Sequence, residues 1–227
     1  MLTLHVLKTL LLQRSFESVI PTEIKNIIFD LGGVIINLSV DATVKKFSKL
    51  TGLSEETLYQ KLIKSDLFKE HEKGTVSDKD FRDRVRSILD VTCTDGEIDE
   101  SWNAMLLDVP NERIELLKHL KKRYRLFLLS NTNEIHLLRF TQTFAALQGN
   151  PSLDNLFEKV YYSHRMSMRK PDREIFEFVL NENALVANQT LFLDDNIDNL
   201  NGAASVGIKT FHVQQPDSLF SLFEYQK

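Results

Sequence analysis

The sequence predicts an α/β protein with a Rossmann-like parallel sheet core and an inserted helical cap. Short, continuously apolar segments alternate with longer amphipathic ones along most of the chain. Continuously apolar strands are typical of parallel sheets, because helices cover both faces. The alternation itself indicates right-handed βαβ units. Residues 40–107 break the alternation and show only helical patterns, which indicates an insertion between the first and second strands.

Five segments are predicted as strands because they are short and almost continuously apolar. They are Ile24–Asp30, Tyr124–Ser130, Val160–Ser163, Thr190–Asp194 and Lys209–Val213. Three intervening segments carry apolar residues at helical spacing, and the second opens with a proline in its first turn. These predicted helices are Asn111–Lys122, Pro171–Leu180 and Asn196–Val206.

The predicted domains follow from the same pattern. The core comprises residues 24–39 and 108–227, and the cap comprises residues 40–107. Residues 1–23 are an N-terminal extension, expected to be poorly ordered or a short surface helix, since they lack the basic start and cleavage site of a secretory signal. Cap helices are predicted at 40–51, 54–65, 77–90 and 95–106, with Ser54 and Ser77 as capping residues.

Composition excludes several classes of partner. The chain has 227 residues, of which 42% are hydrophobic, and a formal net charge of −4. No basic stripe indicates nucleic-acid binding, and no apolar run approaches the roughly 18 residues of a membrane span. Cys93 is the single cysteine, so neither an intrachain disulfide nor a thiolate zinc cluster can form. We therefore expect a cytoplasmic protein that binds a small ligand, without nucleic-acid or membrane partners.

Chemically capable side chains stand at the carboxyl ends of three predicted strands. Asp30 ends the first strand, Ser130 the second, and Asp194, followed by Asp195, the fourth. Ligands of open α/β sheets bind outside the carboxyl ends of the strands, so these positions are expected to meet in space. Each position alone would fit a helix N-cap. Together they predict a functional site.

Asp30 is predicted to be a nucleophile beside a metal ion. Gly32 and Gly33 let the backbone turn sharply and approach a ligand, and a carboxylate at such a turn can attack an electrophile. The adjacent Asp194 and Asp195 concentrate negative charge that a cation would neutralise. Because Mg²⁺ prefers one or two carboxylates with water and phosphate, we expect Asp30 and Asp195 as direct ligands and Asp194 as a direct or water-mediated one.

Lys170 and the residues around Ser130 are predicted to bind an anion. Lys170 adjoins the N-terminus of the predicted helix Pro171–Leu180, where a cation is unfavourable unless an anion lies opposite. A solvent-exposed lysine is the alternative. Ser130, Asn131 and Thr132 offer hydroxyl, amide and backbone donors that suit phosphate oxygens at a helix start.

Four motifs, in this order and spacing, resemble those of the haloacid dehalogenase-like superfamily. They are FDLGGV at 29–34, LLSNTN at 128–133, RKP at 169–171 and FLDDN at 192–196. The insertion after the first motif is where this family carries a small helical cap, and HEKGTVSDKDF at 71–81 looks like a cap motif of a subgroup. As a set, the motifs look most like bacterial α-D-glucose-1-phosphate phosphatases and are similar to the phosphatase domain of epoxide hydrolases.

The resemblance implies a magnesium-dependent phosphatase. It would hydrolyse small phosphorylated metabolites, such as hexose 1-phosphates, through an aspartyl-phosphate intermediate. Lys170 would bridge the phosphoryl group and the nucleophile. The implied residues are Asp30 and Lys170 for catalysis, Ser130, Asn131 and Lys170 for the substrate, and Asp30, the carbonyl of Gly32, Asp195 and Asp194 for the metal.

Gly32 departs from the family pattern. Phosphatases of this superfamily usually carry a second Asp two residues after the nucleophile, as general acid and base. Without it the first motif cannot protonate the leaving oxygen, and general acid catalysis typically contributes about 100- to 10,000-fold. An anomeric hydroxyl leaves more readily than an ordinary alcohol. We therefore expect sugar 1-phosphates to be cleaved faster than sugar 6-phosphates.

Two other functions stay open at this stage. A metal-independent dehalogenase also uses an aspartate nucleophile without a second Asp, but it would not need the adjacent Asp194 and Asp195. A catalytically weak regulatory protein that binds a phosphate ligand would account for Gly32. The cap is expected to select the substrate, unless its charged run is a solvated helix face. Its candidate contacts are His71, Glu72 and Lys73.

Overall fold

The core is a five-stranded sheet in which every neighbouring pair of strands is parallel. The computed structural model describes residues 20–148 and 155–225. The strand order is β3-β2-β1-β4-β5. The α/β fold predicted from the sequence is confirmed, and each strand lies within two residues of its predicted bounds. The strands are β1 (Asn26–Phe29), β2 (Arg125–Ser130), β3 (Lys159–Tyr162), β4 (Thr190–Asp194) and β5 (Lys209–His212).

Helices follow the strands and fill the insertion after β1. Those of the insertion are α1 (Val40–Thr51), α2 (Glu55–Leu58), α3 (Leu67–Glu72), α4 (Asp78–Leu89) and α5 (Asp95–Asn103), with a π-helical turn at Tyr59–Ile63. Those outside it are α6 (Asn111–Leu120), α7 (Glu134–Gln148), α8 (Ser163–Met166), α9 (Arg173–Glu182), α10 (Ile197–Ala204) and α11 (Ser218–Leu222), with a 3₁₀ turn at Ala187–Gln189. No helix in this described part of the chain is long and apolar enough to span a membrane.

The two faces of the sheet explain why its strands are continuously apolar. Successive side chains of a strand point to opposite faces. In β1, Ile27 and Phe29 join one buried cluster while Ile28 joins the cluster on the other face. In β4, Leu193 and Phe192 are divided between the faces in the same way. Both faces are therefore buried, and the strand ends are the places where polar groups can be reached by a ligand.

The helices of the insertion surround a separate hydrophobic cluster, to which the core contributes Ile135 of α7. Phe47, Phe81 and Trp102 are at its centre and are almost fully buried. The two connecting segments meet in an antiparallel bridge between Leu38 and Leu106. The division into a core of 24–39 and 108–227 and a cap of 40–107 stays a prediction, which this separate cluster supports.

Several details differ from the sequence prediction. The predicted helix 54–65 is two elements, α2 and the π-helical turn, and neither α3 nor α7 was predicted. Helix α9 begins at Arg173 rather than at Pro171, because Asp172, with a ψ of 132°, is not helical and is the N-cap residue. Ser54 and Ser77 do accept hydrogen bonds from the first turns of their helices. Residues 1–19 of the predicted extension lie outside the described residues.

Candidate active site

The sheet brings the predicted strand-end residues to one edge. Asp30 directly follows β1, and its backbone N–H donates to the carbonyl of Leu193, 2.9 Å away. Ser130 is the last residue of β2 and Asp194 the last of β4, and these strands flank β1 on either side. Asp30, Ser130 and Asp194 are all buried. The parallel register therefore produces the convergence that the strand ends predict.

Lys170 joins two of these strand ends. Its Nζ lies 2.7 Å from Oδ1 of Asp30 and 2.7 Å from Oδ2 of Asp194. Its side chain is 1% exposed, which rules out the solvent-exposed alternative. A buried ammonium is tolerated only with compensating charge and hydrogen bonds, and the two carboxylates supply both. Lys170 does not sit at a helix N-terminus, since α9 begins three residues later.

Asp194 is held by more donors than Lys170 alone. Its Oδ1 accepts from the backbone N–H of Asn196 at 2.8 Å and from Nδ2 of Asn199 at 3.1 Å. Its Oδ2 accepts from the same Nδ2 at 3.0 Å, as well as from Lys170. The side chain is fully buried. Sequence reasoning missed Asn199, whose position in the first turn of α10, five residues after Asp194, was the available signal.

Asn131 fixes the backbone at Lys170. Its Nδ2 donates to the Lys170 carbonyl and its Oδ1 accepts from the Lys170 N–H, both at 2.9 Å. The Asn131 side chain is thus engaged with the protein through one N–H and its oxygen. Asn131 also borders the cavity, and its predicted contact with the substrate stays a prediction. The hydroxyl of Ser130, by contrast, bonds to none of the described residues and borders the cavity.

Asp195 completes a group of three carboxylates. Oxygens of Asp30, Asp194 and Asp195 lie within 4.8 Å of one another, and Asp195 is the most exposed of the three. Gly33 has a φ of 72°, and a Cβ at this position would overlap Oδ2 of Asp195. Glycine is therefore required for the turn after β1 to approach this carboxylate. Gly32 borders the same cavity.

The electrostatics of the group favour a cation. Burial raises the pKa of Asp30 to about 7, against the lowering effect of Lys170, and the charge of Asp194 raises it further. Partial burial and the charge of Asp194 also raise the pKa of Asp195. Burial opposes the charged form of Lys170, but the two carboxylates outweigh it and raise its pKa. One lysine thus faces three carboxylates, an excess of negative charge that a divalent ion would relieve.

A cavity of about 380 Å³ opens above Asp30 and Asp195. Its floor includes Asp30, Ser130, Lys170 and Asp195, and its upper walls come from the insertion and the segments that connect it. That volume suits a small metabolite. The residues from the insertion and its connections are Leu38, Val40, Ile63, Phe68, Glu72, Trp102, Met105 and Leu106.

Of the three predicted cap contacts, only Glu72 borders the cavity. His71 is 2% exposed, hydrogen-bonds Asp78 at 2.8 Å and stacks on Phe81, so it belongs to the interior of the insertion. Lys73 pairs with Asp172 at 3.2 Å, away from the cavity. The run is therefore not simply a solvated helix face, because one member is buried and two contact the core.

A buried carboxylate at the end of β1, a buried lysine beside it and a cluster of acidic residues stand together at the carboxyl edge of a parallel sheet, where the sequence motifs predict the site of a hydrolase. The family model for haloacid dehalogenase-like hydrolases matches residues 24–207. The chain belongs to this family, as its motifs predict. The narrower resemblance to glucose-1-phosphate phosphatases stays a prediction.

Two curated relatives are phosphatases. A D-ribitol-5-phosphate phosphatase of Bacteroides thetaiotaomicron is 31% identical over 195 residues, covering 86% of this chain and 93% of the relative. A sesquiterpene phosphatase of Aspergillus oryzae is 26% identical over 211 residues, covering 91% of this chain and 97% of the relative. The matches run over nearly the whole length of both relatives, so core and insertion are shared together.

Solved structures agree with this assignment. A haloacid dehalogenase-like (HAD) family enzyme from Bacteroides thetaiotaomicron superposes with a TM-score of 0.80 at 33% identity, covering 90% of this chain and 99% of that one. The wild-type protein of that enzyme was also solved in complex with magnesium and inorganic phosphate, with a TM-score of 0.71 at 34% identity, covering 83% and 93%.

Proposed function

We propose that this protein is a magnesium-dependent phosphatase that hydrolyses small phosphomonoesters through an aspartyl-phosphate on Asp30. One observation carries the proposal. The Nζ of Lys170 lies 2.7 Å from the carboxylates of both Asp30 and Asp194, beneath a cavity that also exposes Asp195. This arrangement offers a nucleophile, a positive charge beside it for phosphoryl oxygens, and carboxylates for a divalent ion.

The donor set fits Mg²⁺. Mg²⁺ takes hard oxygen ligands and combines one or two carboxylates with water and substrate phosphate. Asp30, the carbonyl of Gly32 and Asp195 would hold the ion. We assign Asp194 to a position next to the ligands, because its oxygens already accept bonds from Lys170, Asn196 and Asn199. When bound, the ion would neutralise charge on the phosphoryl group and the carboxylates.

Hydrolysis takes place in two displacements in this scheme. A carboxylate oxygen of Asp30 attacks phosphorus, the bond from phosphorus to the ester oxygen breaks, and the alcohol leaves with a proton from solvent. Water then attacks the phosphorus of the aspartyl-phosphate, releasing inorganic phosphate and restoring Asp30. Lys170 stabilises the transferring oxygens, Ser130 donates to them through its free hydroxyl, and the side chain of Asn131 holds Lys170 in position.

The substrate class we propose is a small sugar or polyol phosphate. The cavity of about 380 Å³ suits such an ester rather than a phosphoprotein or a nucleic acid, and the relative named for D-ribitol 5-phosphate acts on a molecule of this kind. Hexose 1-phosphates are the finer proposal, on the argument that Gly32 provides no general acid. A cytoplasmic location is proposed from the single Cys93.

A second candidate is a regulatory protein that binds a phosphate ligand with little turnover. The side chain of Leu38 fills the space that a Cβ on residue 32 would need, so an apolar group stands beside the position of the absent second Asp. A metal-independent dehalogenase is disfavoured by the three clustered carboxylates.

The test is an activity screen against a panel of phosphorylated metabolites, with Mg²⁺ and with chelator. We expect release of inorganic phosphate from small esters with Mg²⁺ only, and loss of at least about 100-fold in Asp30→Asn. Tight binding of phosphate esters without release would favour the regulatory protein. Turnover of 2-haloacids in the presence of chelator would favour the dehalogenase.

A further inference from the structure

An ion pair connects the insertion to the core at the wall of the cavity. Glu72, the last residue of α3, and Arg169, which directly precedes Lys170, both border the cavity. Nη2 of Arg169 donates to Oε2 of Glu72 at 2.8 Å. The two side chains are 21% and 24% exposed, so each is sheltered but reachable from the cavity.

This ion pair leaves part of its hydrogen-bonding capacity unused. Within the described part of the chain, Nη2 is the only side-chain nitrogen of Arg169 with a partner. Nε of Arg169 is buried without any partner. Oε1 of Glu72 likewise bonds to none of the described residues. Nη1 of Arg169 and Oε1 of Glu72 are not among the fully buried atoms, so they are the groups of the pair that can bond to a ligand in the cavity.

The remaining upper walls offer little else to a polar molecule. Phe68 and Trp102 stack with their ring centroids 4.2 Å apart, and Ile63 and Met105 stand beside them. His136 also borders the cavity, but its ring nitrogens contact the Trp102 carbonyl and the Asn133 side chain, each at 3.3 Å. Beyond the floor residues, the ion pair is therefore the charged edge of the cavity. The rest of the upper wall is largely apolar, apart from the buried and unpartnered indole N–H of Trp102.

We propose that Glu72 and Arg169 bind hydroxyl groups of the leaving alcohol and thereby determine substrate specificity. The guanidinium donates to one hydroxyl oxygen and the free carboxylate oxygen accepts from a hydroxyl. The C–H side of the same molecule packs on Phe68 and Trp102. The substrate is then a phosphomonoester of a short polyol or sugar with neighbouring hydroxyls. This inference rests on the proposed phosphatase function and narrows it.

The test compares two esters with the same number of carbon atoms, D-ribitol 5-phosphate and n-pentyl phosphate. The measured quantity is the ratio of their kcat/KM values with Mg²⁺. We expect the wild type to favour the polyol ester. Loss of a charge-assisted hydrogen bond typically costs about 10- to 100-fold, so Glu72→Ala should reduce the ratio by that factor. Glu72→Gln, which keeps the shape of the side chain, should reduce it less.

Lys73→Ala is the matched control, because it removes a neighbouring ion pair between insertion and core that does not border the cavity. Its ratio should equal that of the wild type. If Glu72→Ala and Glu72→Gln lose the same factor in kcat/KM on both esters, the ratio is unchanged and the ion pair only anchors the insertion. If neither variant changes kcat/KM on either ester, the proposal is overturned as well. If the wild type cleaves n-pentyl phosphate and aryl phosphates but no polyol or sugar phosphate, the specificity inference is wrong while the phosphatase function stands. If it cleaves no phosphomonoester, both fail.

Discussion

The side chain of Lys170 lies between Asp30 and Asp194, with Nζ 2.7 Å from each carboxylate. This relationship links the proposed nucleophile at the end of β1 to the end of β4 through a residue from a loop far away in sequence. It explains how three carboxylates can stand at one edge of the sheet. It also separates Asp194, which is fully buried and holds the lysine, from Asp195, which faces the cavity.

Lys170→Met should reduce both stability and activity. The substitution keeps an apolar stem but leaves buried carboxylates without their cation, which typically costs about 3–5 kcal/mol in the free energy of unfolding. kcat/KM should fall at least about 100-fold, because the positive charge no longer stabilises the transferring oxygens. Denaturant unfolding and steady-state kinetics measure the two effects.

Lys73→Met is the control. Because it removes a half-exposed ion pair, it should change the free energy of unfolding by less than about 1 kcal/mol. Similar losses of stability and of kcat/KM in both variants would contradict a special role for Lys170.

Asp195→Asn and Asp194→Asn should have different effects on the magnesium requirement. Asp195→Asn should raise the Mg²⁺ concentration for half-maximal activity by at least about tenfold, since it replaces a proposed direct ligand. Asp194→Asn should lower kcat with a smaller change in that concentration, since it disturbs Lys170. Kinetic titration with Mg²⁺ distinguishes the two. Identical titrations for Asp195→Asn and the wild type would remove Asp195 from the metal site.

Gly32→Asp should restore a general acid only when Leu38 is also shortened. A Cβ at residue 32 would overlap Cδ1 of Leu38, so we expect the double variant Gly32→Asp/Leu38→Ala to accommodate the new carboxylate better than Gly32→Asp. In the wild type, the phosphorylation rate of aryl phosphates should rise steeply with leaving-group acidity. The double variant should flatten this dependence, because the acid protonates the leaving oxygen. Leu38→Ala is the control. If the rate depends equally steeply on leaving-group acidity in the wild type, in Leu38→Ala and in the double variant, the proposed consequence of Gly32 is wrong.

Stability should decline as the pH falls from about 6.5 towards 3, in part through His136. Burial lowers the pKa of His136 to about 3 in the folded protein, so the unfolded chain takes up the proton first and is stabilised in this window. The free energy of unfolding then falls by up to about 1.4 kcal/mol per pH unit for such a group. His136→Gln should make the decline shallower, measured by denaturant unfolding at several pH values. His119→Gln, at an exposed histidine, is the control; an equal slope in His136→Gln and wild type would exclude this contribution.

The sequence predicted the core far better than the insertion. Strands such as β4 are buried at every position and apolar between their ends because both faces of the sheet are covered. Asp30 and Asp194 could be found because strand ends converge in a parallel sheet. These inferences use only local pattern and a general rule of topology. The chemistry of the floor of the cavity could therefore be predicted before its geometry was known.

The rest depends on tertiary packing that local pattern does not contain. Helix α3 lies in a charged run, and only the packing of His71 on Phe81 reveals which side of it is buried. Asn199 is one amide among several after β4, and its contact with Asp194 depends on how α10 begins. Leu38 approaches Gly32 only because the segments connecting the insertion meet there. Such contacts define how a ligand is recognised, and the fold class does not specify them.

The stereochemical course at phosphorus tests the central claim most directly. The substrate would be an ester of phosphorothioate made chiral with oxygen isotopes and hydrolysed in isotopically labelled water with Mg²⁺. Transfer through an aspartyl-phosphate on Asp30 requires two in-line displacements, each of which inverts the configuration. We therefore expect overall retention of configuration in the thiophosphate product. Overall inversion would show a single displacement by water and would contradict covalent catalysis by Asp30.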